Sequence, residues 1–204
     1  MAFAIQGEQV PRDHALELWR ALARALPWLG EEENVAIFAL RAAPVADGRL
    51  AVSRRSRLML RLPATRVRDA LALCGAAIEI EGAPLAVGRA MTRALIPHGT
   101  VYAHRVAASG HDEIAFMRAV TTALERLAIR SDFICGKRSC VRGERGEVAG
   151  FSLMLTGLRP AESVRVQIAG LGPHRKLGFG IFVPHRSTAA VGSDDAAEER
   201  RAFR

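Results

Sequence analysis

The chain has 204 residues, half of them apolar, which is enough for one domain or two small ones with a hydrophobic core. Mean hydropathy is only +0.09, and no stretch approaches the roughly 18 consecutive apolar residues of a membrane helix. The formal net charge is +8, and of 29 basic residues only Lys137 and Lys176 are lysines. GC-rich codons would explain the preference for arginine but not the net charge, so the composition favours a nucleic-acid ligand.

The N-terminal segment and the cysteines bear on the cellular compartment. The first seven residues lack the basic and long apolar regions of a signal peptide, so we expect a cytoplasmic protein. Cys74, Cys135 and Cys140 are too few for a disulfide framework, and no second Cys or His pair stands at zinc-finger spacing. Free thiols are the expectation.

The first half of the sequence predicts alternating strands and helices. Ala2–Gln6 is short and apolar, as in a strand, and Asp13 then has the side chain of a helix N-cap. Leu18 and Leu22 follow at helical spacing, and Pro27 ends the helix. The further elements predicted here are strands over 35–41, 50–53 and 58–62, a helix over 64–73, and a hairpin of strands over 77–80 and 85–87.

The second half predicts the same order of elements after a junction at 96–99. The predicted elements are strands over 100–106, 131–135, 148–158 and 179–183, a helix over 111–128, a helix from Pro160, and a polar loop or hairpin tip over 136–146. Val164 and Ile168 fit either a helix or a strand, and Pro160 favours the helix because proline is common in a first helical turn.

Two copies of the order strand, helix, strand, strand, helix, strand predict an α+β fold. Each copy would be a ferredoxin-like half, also called RNA-recognition-motif-like. We therefore expect one half over 1–97, a second half with a glycine-rich loop over 98–186, and a disordered tail over 187–204, which is small and charged.

The most specific pattern is the segment 170–184, Gly-Leu-Gly-Pro-His-Arg-Lys-Leu-Gly-Phe-Gly-Ile-Phe-Val-Pro. Glycines let a backbone approach a ligand closely, and successive N–H groups form an anion-binding nest. A helix C-cap and turn would need only Gly170 or Gly172, whereas this segment has four glycines around His-Arg-Lys. It is not a dinucleotide-binding fingerprint, since it follows a predicted helix and opens a strand.

This segment has the form G-x-G-x-x-R-x-x-G-x-G before a last apolar strand. It resembles the signature loop of the CRISPR-associated repeat-processing endoribonucleases, the Cas6 family, and the matching residues are Gly170, Gly172, Arg175, Gly178 and Gly180. The segment 11–29 also resembles the first helix of a short variant of that family. The order of elements agrees over about 1–186, but the motifs cover only these two stretches.

The resemblance implies a reaction that needs neither metal nor cofactor. A repeat RNA, usually a hairpin, is cut at one phosphodiester when the upstream 2′-hydroxyl attacks the phosphate, leaving a 2′,3′-cyclic phosphate and a 5′-hydroxyl. Such a reaction requires a base, an acid and a cation beside the phosphate.

The resemblance assigns the catalytic histidine to His14, at the start of the first helix, where the helix dipole favours a neutral ring. Some family members pair the histidine with a tyrosine and a lysine, which suggests Tyr102, the only tyrosine, and Lys176. Nothing in the spacing places Tyr102 beside His14, and Arg175, Arg20 or Arg24 could supply the positive charge instead.

The residues expected to bind RNA form three groups, each of which could also be an ordinary charged surface. In the loop they are Gly170, Gly172, His174, Arg175, Lys176, Gly178 and Gly180. On the first helix they are Arg20 and Arg24, and elsewhere they are Arg55, Arg57 and Arg61 on and before a strand, with Lys137, Arg138 and Arg142 in the polar loop.

Two alternative functions share some of these sequence features. A non-catalytic RNA-binding subunit of a CRISPR effector complex would share the fold and the loop but would use no histidine. A basic ribosome-associated protein is disfavoured by the two halves and the loop. The expected partners are therefore CRISPR repeat RNA and, in an assembly, other effector subunits, with no membrane.

Overall fold

The computed structural model describes residues 1–185, and the predicted disordered tail lies outside them. The chain folds as two units. The first comprises Met1–Arg93 together with Val141–Gly146 and Lys176–Gly178, and the second comprises Ala94–Cys140, Glu147–Arg175 and the residues from Phe179 onward. The predicted boundary at 97 and 98 stays a prediction.

The first unit contains two antiparallel sheets and two helices. Its strands are β1 (Ala2–Gln6), β2 (Gln9–Pro11), β3 (Ala36–Ile37), β4 (Ala43–Pro44), β5 (Arg49–Ala51), β6 (Arg57–Arg61), β7 (Ala77–Ile80) and β8 (Ala83–Met91). Its helices are α1 (Ala15–Ala25) and α2 (Val67–Ala70), with 3₁₀ turns at Pro27–Leu29, Ala64–Arg66 and Leu71–Leu73. The larger sheet has the order β3-β6-β1-β8-β7, and the smaller has the order β2-β5-β4.

Burial alternates along the strands of the larger sheet as the sequence predicts. On β6, Leu58 and Leu60 are buried while Arg57 is exposed, because successive side chains point to opposite faces of a strand. Phe3 and Ile5 of the central strand β1 are buried in the same hydrophobic core. The core therefore lies on one face of this sheet.

Helix α1 forms because its apolar positions recur at helical spacing, and Leu18 and Leu22 are buried against the core. The predicted N-cap at Asp13 is wrong. The N-cap position is His14, and the Asp13 carboxylate instead accepts a hydrogen bond from the backbone N–H of Arg142 at 2.9 Å. A carboxylate can accept a hydrogen bond from the first turn of its own helix or from another segment, and here the donor, Arg142, is distant in the sequence.

Up to residue 185, where the described chain ends, the second unit contains one antiparallel sheet and two helices. Its elements are β9 (Val101–Ala107), α3 (Glu113–Arg126), β10 (Asp132–Gly143), β11 (Gly146–Thr156), α4 (Pro160–Ala169) and β12 (Val183–Pro184). The sheet has the order β10-β11-β9-β12, and its core includes Val101, Val120 and Leu153. In the first unit β1 lies between β6 and β8, and in the second unit β9 lies between β11 and β12. A ferredoxin-like fold has its first strand in this central position, so the predicted fold class is confirmed.

Several local predictions in the second unit need correction. The polar stretch over 136–146, predicted as a loop or a hairpin tip, is the end of the β10–β11 hairpin, and most of it is strand, since β10 continues to Gly143 and β11 begins at Gly146. Paired strands tolerate polar residues on an exposed face, so the polar composition of this stretch did not indicate that it forms strands. The predicted closing strand is shortened to Val183–Pro184. Helix α3, predicted from residue 111, begins at Glu113, and its N-cap is Asp112, whose side chain accepts from the Ile114 N–H at 2.8 Å.

The helix predicted from Pro160 is present as α4. In the part of the chain that the structure describes, no helix is long and apolar enough to cross a membrane.

Candidate functional site

The loop after α4 has an unusual concentration of left-handed backbone. The residues with positive φ are Gly170 (68°), Gly172 (73°), His174 (66°), Gly178 (86°) and Gly180 (64°). Only glycine adopts this region without steric cost, so His174 is a locally strained residue. Strained non-glycine residues concentrate at ligand-binding sites, and the loop is therefore a candidate site.

Two of the loop glycines are required by close packing. A Cβ atom at Gly180 would lie 2.2 Å from the carbonyl oxygen of Leu171, and a Cβ atom at Gly170 would lie 2.5 Å from the carbonyl oxygen of Gly180. The two ends of the loop therefore approach each other too closely for any side chain. The Gly180 N–H also donates to the carbonyl of Arg105 on β9 at 2.7 Å, which ties the loop to the central part of the sheet.

Arg175 lies inside this loop with part of its guanidinium buried. Its Nε and Nη2 atoms are buried, and neither has a hydrogen-bond partner within residues 1–185. Burial lowers the pKa of the Arg175 guanidinium below its ordinary value. Nε and Nη2 form one edge of the guanidinium, the edge with which arginine grips two oxygens of a phosphate or carboxylate. Buried donors without partners are costly, so this edge is suited to an anionic ligand.

The family model described as Cas6 Crispr matches residues 1–187. The chain belongs to the Cas6 family. It is 38% identical over 199 residues to the CRISPR-associated endonuclease Cas6 of Myxococcus xanthus (strain DK1622), covering 97% of this chain and 86% of that protein. The predicted family is confirmed, and so is the prediction that the chain is an enzyme of this endonuclease family.

Solved structures support the fold of this Cas6 family member. A Cas6-related protein from Pyrococcus furiosus is similar with a TM-score of 0.66 at 12% identity, covering 92% of this chain and 98% of that one. A structure described as a RAMP protein binding different RNA substrates is similar with a TM-score of 0.64 at 11% identity, covering 91% of this chain and 98% of that one. At these identities the likeness establishes the fold alone.

Lys176, the neighbour of Arg175 in the Cas6 loop, is anchored within the first unit. Its ammonium donates to the carbonyl of Gly30 at 2.9 Å and lies 5.0 Å from the centre of the Trp19 ring. Partial burial lowers the pKa of the Lys176 ammonium. The lysine is therefore held in a fixed place, and its predicted catalytic role stays a prediction.

His14 is also fixed within the first unit and is buried, with only 3% of its surface exposed. Its Nδ1 lies 2.8 Å from the carbonyl oxygen of Pro11, and its Nε2 lies 2.8 Å from the backbone nitrogen of Leu40. Since the carbonyl can only accept and the N–H can only donate, these contacts assign a neutral ring with the proton on Nδ1. The ring must leave the Leu40 contact before Nε2 can take a proton from RNA, and the predicted catalytic role of His14 stays a prediction.

Tyr102 lies in the second unit on β9, next to two histidines. Its ring is 5.1 Å from that of His104, in an edge-to-face arrangement, and 5.5 Å from that of His185. Tyr102 and His185 are buried, while His104 is exposed. The sequence pattern gives no sign that His185 lies beside Tyr102, because that contact depends on the pairing of β12 with β9.

The arginines of the first unit differ in how they are held. Arg57 donates to the carbonyls of Arg54 at 2.7 Å and Ser56 at 2.8 Å, and so braces the turn before β6. Arg61 lies over the ring of Phe38 at 5.5 Å. Arg55 is exposed in the turn before β6. The sequence pattern instead predicted it on the same strand face as Arg57 and Arg61.

Two further predicted groups lie on regular elements. On α1, Arg20 forms a surface ion pair with Glu17 at 2.8 Å, and Arg24 is exposed in the last turn. On β10, Lys137 and Arg138 are exposed. A surface ion pair such as Arg20–Glu17 contributes little to stability.

Arg142 differs from its neighbours on β10 because its guanidinium forms an ion pair with Glu81. Glu81 raises the pKa of Arg142. No three His, Cys, Asp or Glu side chains among residues 1–185 form a group that could hold a metal ion.

Proposed function

We propose that this Cas6 family member binds CRISPR repeat RNA and cuts it at one phosphodiester without a metal. In the proposed reaction the upstream 2′-oxygen bonds to phosphorus, the bond to the 5′-oxygen breaks, and the products carry a 2′,3′-cyclic phosphate and a 5′-hydroxyl. Its cytoplasmic location and its association with other CRISPR effector subunits belong to the same proposal.

The observation that carries the proposal is the buried edge of Arg175 in the glycine-rich loop. Nε and Nη2 are two adjacent donors without partners in the described chain, and a phosphate offers two acceptors at matching spacing. The loop packs closely around them, and its glycines Gly170 and Gly180 tolerate no side chain. A net charge of +8 adds the long-range attraction that nucleic-acid binding uses.

The residues proposed to contact the RNA are the loop residues and the exposed basic residues described above. His14, Tyr102 and Lys176 are proposed as catalytic groups, with His14 acting after its ring leaves the Leu40 N–H. Holding the RNA in line for attack by the 2′-oxygen is itself a large part of such catalysis.

The test is cleavage of the cognate repeat RNA by purified protein in EDTA, followed together with binding. We expect one cut per repeat and an upstream product whose mass is one water lower than that of a 3′-phosphate. A 2′-deoxy substitution at the nucleotide before the cut should abolish cleavage and leave binding unchanged, because it removes the nucleophile.

The matched variants are Arg175→Ala and Arg118→Ala, which removes an exposed arginine of α3. Losing charge-assisted hydrogen bonds to a phosphate should weaken RNA binding roughly tenfold or more in Arg175→Ala only. If the wild type binds the repeat tightly and never cuts it, the protein is instead a non-catalytic RNA-binding subunit. If cleavage requires added Mg²⁺, the metal-free reaction is wrong.

A further inference from the structure

Three titratable aromatic side chains meet at the β9–β12 edge of the second unit. Tyr102 lies between the two histidines, with ring centres 5.1 Å from His104 and 5.5 Å from His185. Backbone pairing fixes the cluster, since Tyr102 is opposite Val183 and the N–H of His185 donates to the carbonyl of Thr100 at 3.0 Å. The contact joins residues 83 positions apart and is therefore a product of the fold.

The three side chains of the cluster differ in how deeply they are buried. Tyr102 and His185 are each 6% exposed, whereas His104 is exposed. Polar rings are costly to bury where an apolar side chain would fill the space, and such an arrangement is often retained for function. The result is a solvent-facing imidazole supported from behind by a buried phenol, which is itself in contact with a second imidazole.

The cluster lies on the strand that anchors the glycine-rich loop. The Gly180 N–H is bonded to the carbonyl of Arg105, the residue after His104. A Cβ atom at Gly172 would meet Ala107, two residues farther along β9, at 3.9 Å. Both attachment points lie within three residues of His104 along β9.

We propose that His104 is a further catalytic residue of the cleavage reaction, that His185 is a positioning residue for its ring, and that Tyr102 also positions this ring in addition to the role proposed for it above. The inference rests on the proposed function. The neutral imidazole of His104 takes the proton of the 2′-hydroxyl as the 2′-oxygen bonds to phosphorus. The bond from phosphorus to the 5′-oxygen breaks, and the 5′-oxygen takes a proton from water.

The inference differs from the assignment to His14 in a testable way. Nε2 of His14 accepts the Leu40 N–H, so that ring must move before it can act. His104 is exposed on its strand and can meet RNA without rearrangement of the backbone. The two histidines lie in different units and can be varied independently.

The experiment measures single-turnover cleavage of the repeat RNA in EDTA across pH 5.5 to 9, with RNA affinity measured alongside. The variants are His104→Ala, Tyr102→Phe and His185→Gln, and the control is His111→Ala, an exposed histidine before α3 that lies outside the cluster. His104→Ala should cut at least about 10²-fold more slowly, with RNA affinity within about threefold of wild type. Added imidazole should restore part of the lost rate, which a purely structural role of His104 would not allow.

Tyr102→Phe and His185→Gln should shift the acidic limb of the pH–rate profile, and His111→Ala should leave it unchanged. If His104→Ala also loses RNA binding, the His104→Gln variant is tested in its place. A His104→Gln protein that binds the RNA without cutting it supports the inference, and one that cuts it at the wild-type rate overturns the inference. Wild-type cleavage with an equally active His104→Ala overturns this inference alone. A wild type that never cuts overturns the proposed function and this inference together.

Discussion

At the scale of single residues, His14 shows how a histidine predicted for catalysis can be fixed by the fold. The ring bridges the carbonyl of Pro11 and the N–H of Leu40, and it is almost completely buried. The Leu40 N–H is buried as well, and a buried N–H that loses its partner is costly. A sequence pattern reports where a residue lies along the chain, but it does not report which backbone groups depend on its side chain.

We expect His14→Ala to lower the free energy of unfolding by about 1–3 kcal/mol, the cost of leaving the Leu40 N–H buried and unpaired. Urea unfolding of wild type, His14→Ala and His111→Ala measures it, with the exposed His111 as the control. A value within error of wild type would contradict the structural role. The folded His14→Ala protein then tests catalysis: a cleavage rate reduced at least about 10²-fold with unchanged RNA affinity would support the predicted catalytic role.

At the scale of elements, helix α4 is stabilised by one buried carboxylate at its start. Glu162 is 3% exposed, and its carboxylate accepts from the backbone N–H of Arg159 at 2.9 Å and of Arg130 at 3.3 Å. The Arg159 guanidinium donates to it at 2.8 Å. Hydrogen bonds from Arg159 are the main cause that lowers the pKa of Glu162 from 4.5 to about 2. The carboxylate therefore satisfies the N-cap N–H of α4 and also holds Arg130, shortly before β10, near α4.

A carboxylate whose pKa is lower in the folded state stabilises the protein above its unfolded pKa and loses that contribution as the pH falls through its folded pKa. Wild type should therefore be more stable than Glu162→Gln at pH 7. The difference should shrink between the ordinary pKa of 4.5 and about pH 2. Melting temperatures of both proteins over pH 7 to 2.5 measure this, with Glu125→Gln, an exposed carboxylate on α3, as the control. A difference independent of pH would contradict the assigned pKa.

The sequence predicted the elements best where apolar periodicity was long. Val120 and Leu124 of α3 are buried as their spacing indicated, whereas Ile114 is 58% exposed and Phe116 takes the inward position. Strands β2 and β4 were not predicted, since two- and three-residue strands are defined by their partners and carry too few residues for a pattern. The order of the strands followed from the repeated order of the elements.

The candidate site was also predicted only in part. The glycine-rich loop was identified from its spacing because positive φ limits the choice of residue, and all four of its glycines have positive φ. The buried edge of Arg175 and the grouping of His104 with His185 were not predicted. Both depend on which atoms pack together in three dimensions, and a sequence read without a structure does not contain those distances.

At the scale of the whole molecule, the net charge of +8 governs how tightly RNA binds but not which arginines bind it. Each phosphate neutralised by the protein releases counterions, so the logarithm of the affinity falls linearly with the logarithm of the salt concentration. An arginine already paired with a carboxylate adds little to that release. Arg142 is paired with Glu81, whereas Arg138 is exposed on the same strand, β10.

We therefore expect Arg138→Ala and Arg175→Ala each to make the salt dependence of repeat-RNA binding shallower, by about 0.7–0.9 in the slope of the double-logarithmic plot. Arg142→Ala should leave the slope unchanged, since its charge is offset by Glu81 in the free protein. Fluorescence anisotropy over about 50–200 mM KCl measures all four proteins, and melting temperatures at the same salt concentrations control for effects on folding. An equal loss of slope in Arg142→Ala would show that the ion pair with Glu81 opens when RNA binds. That result would place Arg142 in the RNA interface, as its position in the sequence first suggested.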